Sequence, residues 1–204
     1  MITASMDIET LSTKVDGVIL SMGICFFDDE KEQPFDEIVA NGIEIFFDRE
    51  EQEQAGRITD FNTLKWWKEQ GEYARRVLEP GVTIKRRELH PHLEAFCTKQ
   101  DLSYNWVKKY CRWFTRGPHF DIAMSDSMLD EDNVSPPWKY YRVRDIRTWL
   151  ECNGMPDNLK LVKPKTMVPH NALHDAAFDA WMMQQVLHTP HDQLDVASRE
   201  RKAA

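Results

Sequence analysis

Three short blocks of the chain carry residue types that could do hydrolytic chemistry together. The first is Met6-Asp7-Ile8-Glu9-Thr10. In an extended strand, side chains two apart point to one face, so Asp7 and Glu9 converge while Ile8 turns the other way. Two carboxylates held that close repel unless a cation sits between them. Oxygen-only donors favour magnesium or manganese over zinc. The second block, Arg116-Gly117-Pro118-His119-Phe120-Asp121, reads as a strand end, a Gly-Pro turn and an acid that opens a helix. The third, Pro169-His170-Asn171-Ala172-Leu173-His174-Asp175, has His-x4-Asp spacing at His170 with Asp175, and the same spacing recurs at His174 with Asp179.

Each block also has a plainer reading. Asp-x-Glu recurs at Asp28 and Glu30, in a solvated turn. Asp121 could simply cap a helix, where Asp is preferred. Five residues along a helix rotate by about 140°, so His174 and Asp179 cannot both face one site. His174 reads as a partly exposed helical residue and Asp179 as a surface or supporting acid. His170 precedes the helix and escapes that limit, in a loop able to swing over a site, with Asp175 fixed on the first turns. Position at the end of an apolar strand separates Asp7 and Glu9 from their look-alikes.

The elements that must place these residues follow from pattern. Residues 2–7, 18–27 and 43–47 are rich in β-formers and are expected to form an antiparallel meander. A helix is expected from Asp60, which with Thr63 is a candidate cap, and another over 86–99. Residues 110–115 should form a strand. Helices should follow over 120–129, 145–153 (stopped by Gly154) and 171–187, with a basic loop at 160–166. Strands first, then helices interleaved with strands, predict an α/β fold with a mixed sheet and helices on its faces. One domain over 1–190 and a polar, flexible tail over 191–204 complete the expectation.

Composition narrows the function classes. With 204 residues, 42% of them hydrophobic, the chain can build a sizeable core. The net charge of −8 argues against coating duplex nucleic acid by bulk charge, so any such role needs a local site. A cation-filled acidic cleft would supply one, because bound ions invert the local charge. Cys25, Cys97, Cys111 and Cys152 are scattered, which suggests neither a zinc site nor a disulfide framework and fits a reducing cytoplasm. No run approaches the ~18 apolar residues of a membrane span, and residues 1–7 do not read as a signal peptide.

Taken together, the three blocks resemble the DEDDh group of 3′–5′ exonucleases in the RNase H-like superfamily. That group has Asp-x-Glu, a middle Asp, then His-x4-Asp with Ala two after the His. Asp7-Ile8-Glu9, Phe120-Asp121 and His170 to Asp175 fill these slots in order, and Ala172 supports the His170 register. Phe35-Asp36-Glu37-Ile38-Val39 with Gly42-Ile43, Trp66-Trp67-Lys68, Arg116-Gly117, Arg144-Asp145-Ile146-Arg147-Thr148 and Met182-Met183 look like the exonucleases of T-even phages, from Asp7 to about Leu187. One departure is that Glu9 is followed by Thr10-Leu11-Ser12, where many members have Thr, a small residue and Gly.

The resemblance implies a five-stranded mixed sheet flanked by helices on both faces. It also implies two magnesium ions, with manganese able to substitute, held by Asp7, Glu9, Asp121 and Asp175, with His170 as general base. The expected reaction releases nucleoside monophosphates from the 3′ end of DNA, single strands preferred, in the host-cell cytoplasm if the chain is phage-encoded. RNA is the rival substrate, and a module that only binds nucleic acid is the third reading. All five positions are filled, which weighs against the last. Ions roughly 4 Å apart would clamp the terminal phosphodiester, with Asp7 bridging both. His170 must be neutral to take a proton, and free histidine titrates near ~6.5, so activity should fall in acid. Thr10, Leu11, Trp66 and Phe120 are the expected substrate contacts, with at least one of Trp66 and Trp67 in the core. Two basic clusters, Lys108, Lys109, Arg112 and Arg116, and Lys139, Arg142, Arg144 and Arg147, are candidates for the incoming strand, although a solvated face explains any single member. The oligomeric state stays open, a homodimer included.

Overall fold

The first strand, β1 (Ile2–Thr10), sets the architecture through its own alternation. Ala4, Met6 and Ile8 are buried on one face of the sheet. Thr3, Ser5, Asp7 and Glu9 alternate with them and therefore lie on the other face. The computed structural model describes residues 2–155, 161–190 and 193–194.

Around β1 the sheet has the order β3-β2-β1-β4-β5. β2 (Ile19–Asp28) runs antiparallel to β1, and β3 (Ile43–Phe46) antiparallel to β2. β4 (Arg112–Thr115) runs parallel to β1, and β5 (Val143–Asp145) parallel to β4. The register pairs Asp7 with Gly23 and Glu9 with Ser21.

Helices cover both faces. Between β2 and β4 come α1 (Phe35–Ala40), α2 (Arg49–Gln54), α3 (Phe61–Glu69), α4 (Glu72–Arg75), α5 (Leu89–Lys99) and α6 (Tyr104–Tyr110). After β4 come α7 (Asp121–Asp130), α8 (Ile146–Cys152) and α9 (Ala172–His188). Leu89, Leu93 and Phe96 of α5 and Met124 and Met128 of α7 pack on the face that carries Met6 and Ile24. On the other face, α1, α8 and α9 enclose Cys25, Phe27 and Phe114. A smaller cluster joins Leu11, Val18 and Leu20 to Trp67, Ala74 and Val77.

α9 is the element that brings the third block to the first, and small residues let it come close. Its Ala172, Ala176, Ala177 and Ala180 are fully buried, and β1 offers only Thr3 and Ser5 beneath. Gly23, directly opposite Asp7, is the tightest point: a Cβ there would overlap the Ala172 carbonyl.

Several expected elements shift. β1 extends through Thr10, so Glu9 lies inside the strand rather than beyond it. Asp60 caps α3 as expected, accepting from Asn62 and Thr63 N–H at 2.8 and 3.0 Å. A 3-10 turn, Arg86–Glu88, precedes α5. α6 takes Tyr110, so the expected strand at 110–115 starts at Arg112. Asp145 is the last residue of β5 and the cap of α8, its carboxylate accepting from Thr148 N–H at 2.7 Å. Most of 191–204 lies outside the described residues; within it, Leu194 packs against the cluster around α9.

Candidate active site

The five residues singled out from sequence line one cavity. Asp7, Glu9, Asp121, His170 and Asp175 share a cleft of about 620 Å³ with Arg116, Arg147, Lys163 and an apolar inner wall of Leu150, Leu161, Phe178 and Met182. Asp7 and Glu9 enter from β1, Asp121 from the first turn of α7, Asp175 from the first turn of α9, and His170 from the turn before it.

Asp121 does not cap its helix. Phe120 holds the cap position, with no side-chain bond. The Asp121 carboxylate instead accepts from the Thr115 hydroxyl at the end of β4, which turns it into the cleft. Asp175 accepts from the backbone N–H of His170 at 2.8 Å. That bond needs His170 in the left-handed region, φ 59°, a backbone state that non-glycine residues adopt at some cost. Asn171 caps α9 by accepting from His174 N–H at 3.0 Å, and its own amide donates to Glu44 at 2.7 Å. Ser21 holds the other Glu44 oxygen at 3.0 Å, so β2 and β3 fix the turn that carries His170.

The His170 ring stands edge-on to two indoles, 4.9 Å from Trp66 and 6.3 Å from Trp67 by ring centroids. Trp67 is buried and donates its Nε1–H to the Thr10 carbonyl at 2.8 Å, which ties the end of β1 to the same cluster. Trp66 is 41% exposed and reaches the cleft only through His170. Phe120 lines the cleft. The Thr10 hydroxyl donates to the Ser12 carbonyl at 2.8 Å, and the Leu11 side chain is wholly buried in the cluster that holds Trp67.

Asp179, expected as a surface or supporting acid, takes the supporting place. It is buried in the cleft wall, one helical turn beyond Asp175, and paired with Arg116. The Asp175-x3-Asp179 spacing puts both acids on one helix face, and that signal was present in the sequence. His174 turns away, its Nδ1 accepting from Val168 N–H at 3.2 Å. The contrast expected between His174 and Asp179 holds, but the acid is the one that faces inward. Asp28 and Glu30 do lie in a turn, with Asp28 bridged to Lys31 at 3.4 Å.

Negative charge is in excess here. Burial pushes the Asp7 carboxyl well above the ordinary aspartate range, and Asp121, Glu9 and Asp175 push it further. Glu9 is raised by burial, then by Asp175 and Glu44. Burial lifts Asp121 to about 6 against the opposing pull of the Thr115 hydroxyl, and it raises Asp175 despite the His170 N–H. Burial works against the charge on Arg116, but Asp179 outweighs it. Donor atoms of Glu9, His170 and Asp175 lie within 4.8 Å of one another, a spacing that could hold a metal ion. Asp7 and Asp121 line the same cavity outside that tight set. The four carboxylates, all with raised pKa values, offer oxygen donors that suit a hard divalent cation.

Comparison with known proteins finds nucleases. Residues 3–187 match the model of the 3′-5′ exoribonuclease Rv2179c-like domain. The exodeoxyribonuclease of Enterobacteria phage T4 is 27% identical over 227 residues, covering 96% of this chain and 93% of that protein. Among solved structures, cell-death related nuclease 4 (CRN-4) superposes with a TM-score of 0.59 at 10% identity, over 96% of this chain. The chain spans 65% of the length of that protein. The nuclease domain of 3′hExo, a DEDDh family member bound to rAMP, gives 0.53 at 10% identity over 97% of this chain and 96% of that one. S. pombe Pop2p in its Mg2+ and Mn2+ bound form gives 0.53 at 13% identity over 90% and 82%. The fold is RNase H-like, and the chain belongs to the 3′-5′ exoribonuclease Rv2179c-like family of exonucleases.

Proposed function

We propose that this exonuclease releases nucleoside monophosphates from the 3′ end of single-stranded DNA, with Asp7, Glu9, Asp121 and Asp175 holding two divalent ions and His170 as general base. The observation that carries this reading is the convergence of all five side chains on one cavity from three elements, β1, α7 and α9, and the turn before α9. The cavity volume of about 620 Å³ suits a nucleotide-sized ligand. Magnesium or manganese bound at these carboxylates would supply an activated water and stabilise charge on the departing 3′ oxygen.

The protein's own groups have separable tasks. The His170 ring, braced by Trp66 and Trp67, takes the proton of the attacking water. Asp175, at the start of α9, sits where the helix dipole favours its anionic form. Arg116 and Lys163 face the cleft and can meet phosphate oxygens, with Asp179 orienting Arg116. The apolar wall of Leu150, Leu161, Phe178 and Met182 excludes water from one side of the bound nucleotide.

RNA is the second reading. The matched family is described as an exoribonuclease, whereas the phage T4 relative is an exodeoxyribonuclease. The two substrates differ at the 2′-hydroxyl. Matched DNA and RNA strands, labelled at either end and digested with magnesium or with EDTA, test both readings. The DNA reading expects monophosphates shed first from 3′-labelled DNA and a slower reaction on RNA. Faster RNA digestion would overturn it in favour of the second reading.

A further inference from the structure

The two basic clusters, separate in sequence, meet on the surface. Lys108 and Lys109 end α6, and Lys139 precedes a 3-10 turn, Tyr140–Arg142, that leads into β5. Lys108 Nζ donates to Ser135 at 2.7 Å, which brings α6 against the segment before Lys139. The two lysines are near enough that Lys139, after burial, lowers the Lys108 pKa. Among the described residues, Lys108, Lys139, Arg142 and Arg144 form no ion pairs, in a chain of net charge −8. Arg142 Nε is buried with no hydrogen-bond partner.

Aromatic rings stand among these charges. Tyr140 is 87% exposed and Tyr141 53%, their rings 5.2 Å apart and crossed at 88°. The Arg142 guanidinium lies 5.9 Å from the Tyr141 ring centroid. Cations interleaved with exposed rings are how single strands are held without sequence preference, phosphates on the cations and bases on the rings.

The patch is continuous with the cleft. The chain runs from Tyr140–Arg142 straight into edge strand β5 (Val143–Asp145) and then α8. Arg144 extends from β5, and Arg147, in the first turns of α8, lines the cleft. Asp145 lies along this path, but its carboxylate is taken up by Thr148 N–H and hydroxyl, both at 2.7 Å. The three residues of β5 span about 10 Å.

We infer that this surface is the track for the strand on the 5′ side of the scissile bond, its occupant a single-stranded nucleic acid. This rests on the nuclease reading of the cleft. The track begins beyond the reach of a dinucleotide, so it should act only on longer substrates.

The test compares the wild type with Lys108→Ala/Lys139→Ala and with Tyr140→Ala, on a dinucleotide and on a strand of about a dozen nucleotides, over a range of salt. For the long strand, each variant should raise KM about tenfold while kcat holds. The double lysine variant should also flatten the plot of log affinity against log salt by ~0.7 per lysine. Dinucleotide cleavage should not change. Equal losses on both lengths would overturn the track, as would unchanged KM on the long strand. So would a wild-type dimer in size-exclusion chromatography that these variants split, since the patch would then join two copies of the chain. Failure of the nuclease reading looks different: the wild type would cleave neither substrate.

Discussion

The molecule buries two clusters of charge, and they are resolved in opposite ways. In one, the side chains of Arg57 and Arg86 are 1% and 4% exposed and meet the carboxylates of Glu51, Glu131 and Asp132. Arg57 reaches Glu131 at 2.7 Å, and its other donors go to the Gly17 and Val15 carbonyls at 2.9 and 3.1 Å. Every buried cation there has an anion, and the anions keep one side in water. In the other, Asp7, Glu9, Asp121, Asp175 and Asp179 share a cleft with Arg116, which is already committed to Asp179. α7 links the two, with Asp121 at its start and Glu131 just past its end. The first cluster is complete without a ligand and fastens elements together. The second keeps more acids than cations even with Arg147 and Lys163 in the cleft, and on the proposed reading divalent ions would complete it.

Removing charge should therefore have opposite consequences in the two places. The largest effect expected is on activity at the cleft. Asp7→Asn should lower kcat on the order of 10³-fold or more, since a metal contributes several kcal/mol to the transition state. The same change should leave the metal-free thermal midpoint equal or higher, because it relieves a buried repulsion. A fall in that midpoint, or retained turnover, would break the contrast. Next comes His170→Ala, expected to cost ~10²–10⁴-fold in kcat and to remove the fall of the wild-type rate in acid. A flat wild-type profile between pH 5 and 9 would take His170 out of the role.

At the balanced cluster the loss should appear as stability. Arg86→Ala leaves Glu51, Glu131 and Asp132 without their shared partner and should cost about 3 kcal/mol in chemical denaturation. Turnover per folded molecule should stay largely intact. A neutral result would mean that solvent already screens the carboxylates.

The smallest effect follows from the raised carboxyl pKa values. Asp7, Glu9, Asp121 and Asp175 all titrate higher in the folded chain than in the unfolded one. The folded state thus binds more protons, and stability is lost as pH rises through the folded values. For Asp121 this window runs from the ordinary 3.8 to about 6. The metal-free protein should then be destabilised at neutral pH by these groups and relieved of that penalty as they protonate in acid. Added magnesium should raise the thermal midpoint at pH 7.5 by a few degrees, and the increment should vanish near pH 4. An increment independent of pH would place the ion somewhere other than on these acids.

What could be read from sequence was whatever local pattern encodes. The alternation of β1 placed Asp7 and Glu9 on one face, and helix geometry separated His170 from His174. Short elements were harder. α1 follows Pro34 without a side-chain cap and has only six residues, and β5 has three, so neither builds a period. The strand at 110–115 began late because Ser103 caps a helix whose end, Lys108-Lys109-Tyr110, looks equally like the approach to a strand. The choice between a surface and a supporting place for Asp179 stayed open because its partner, Arg116, is remote in sequence and the two meet only in the folded chain. The burial of Leu11 was not legible, because nothing local reveals that it packs in one cluster with Trp67.

The central claim is that the unbalanced acids of the cleft are completed by divalent ions. Calorimetric titration of EDTA-treated protein with manganese tests it most directly, with Asp7→Asn run alongside. The account predicts two ions bound per chain in the wild type and loss of that binding in the variant. An absence of binding to the wild type, or equal binding to both, would contradict it.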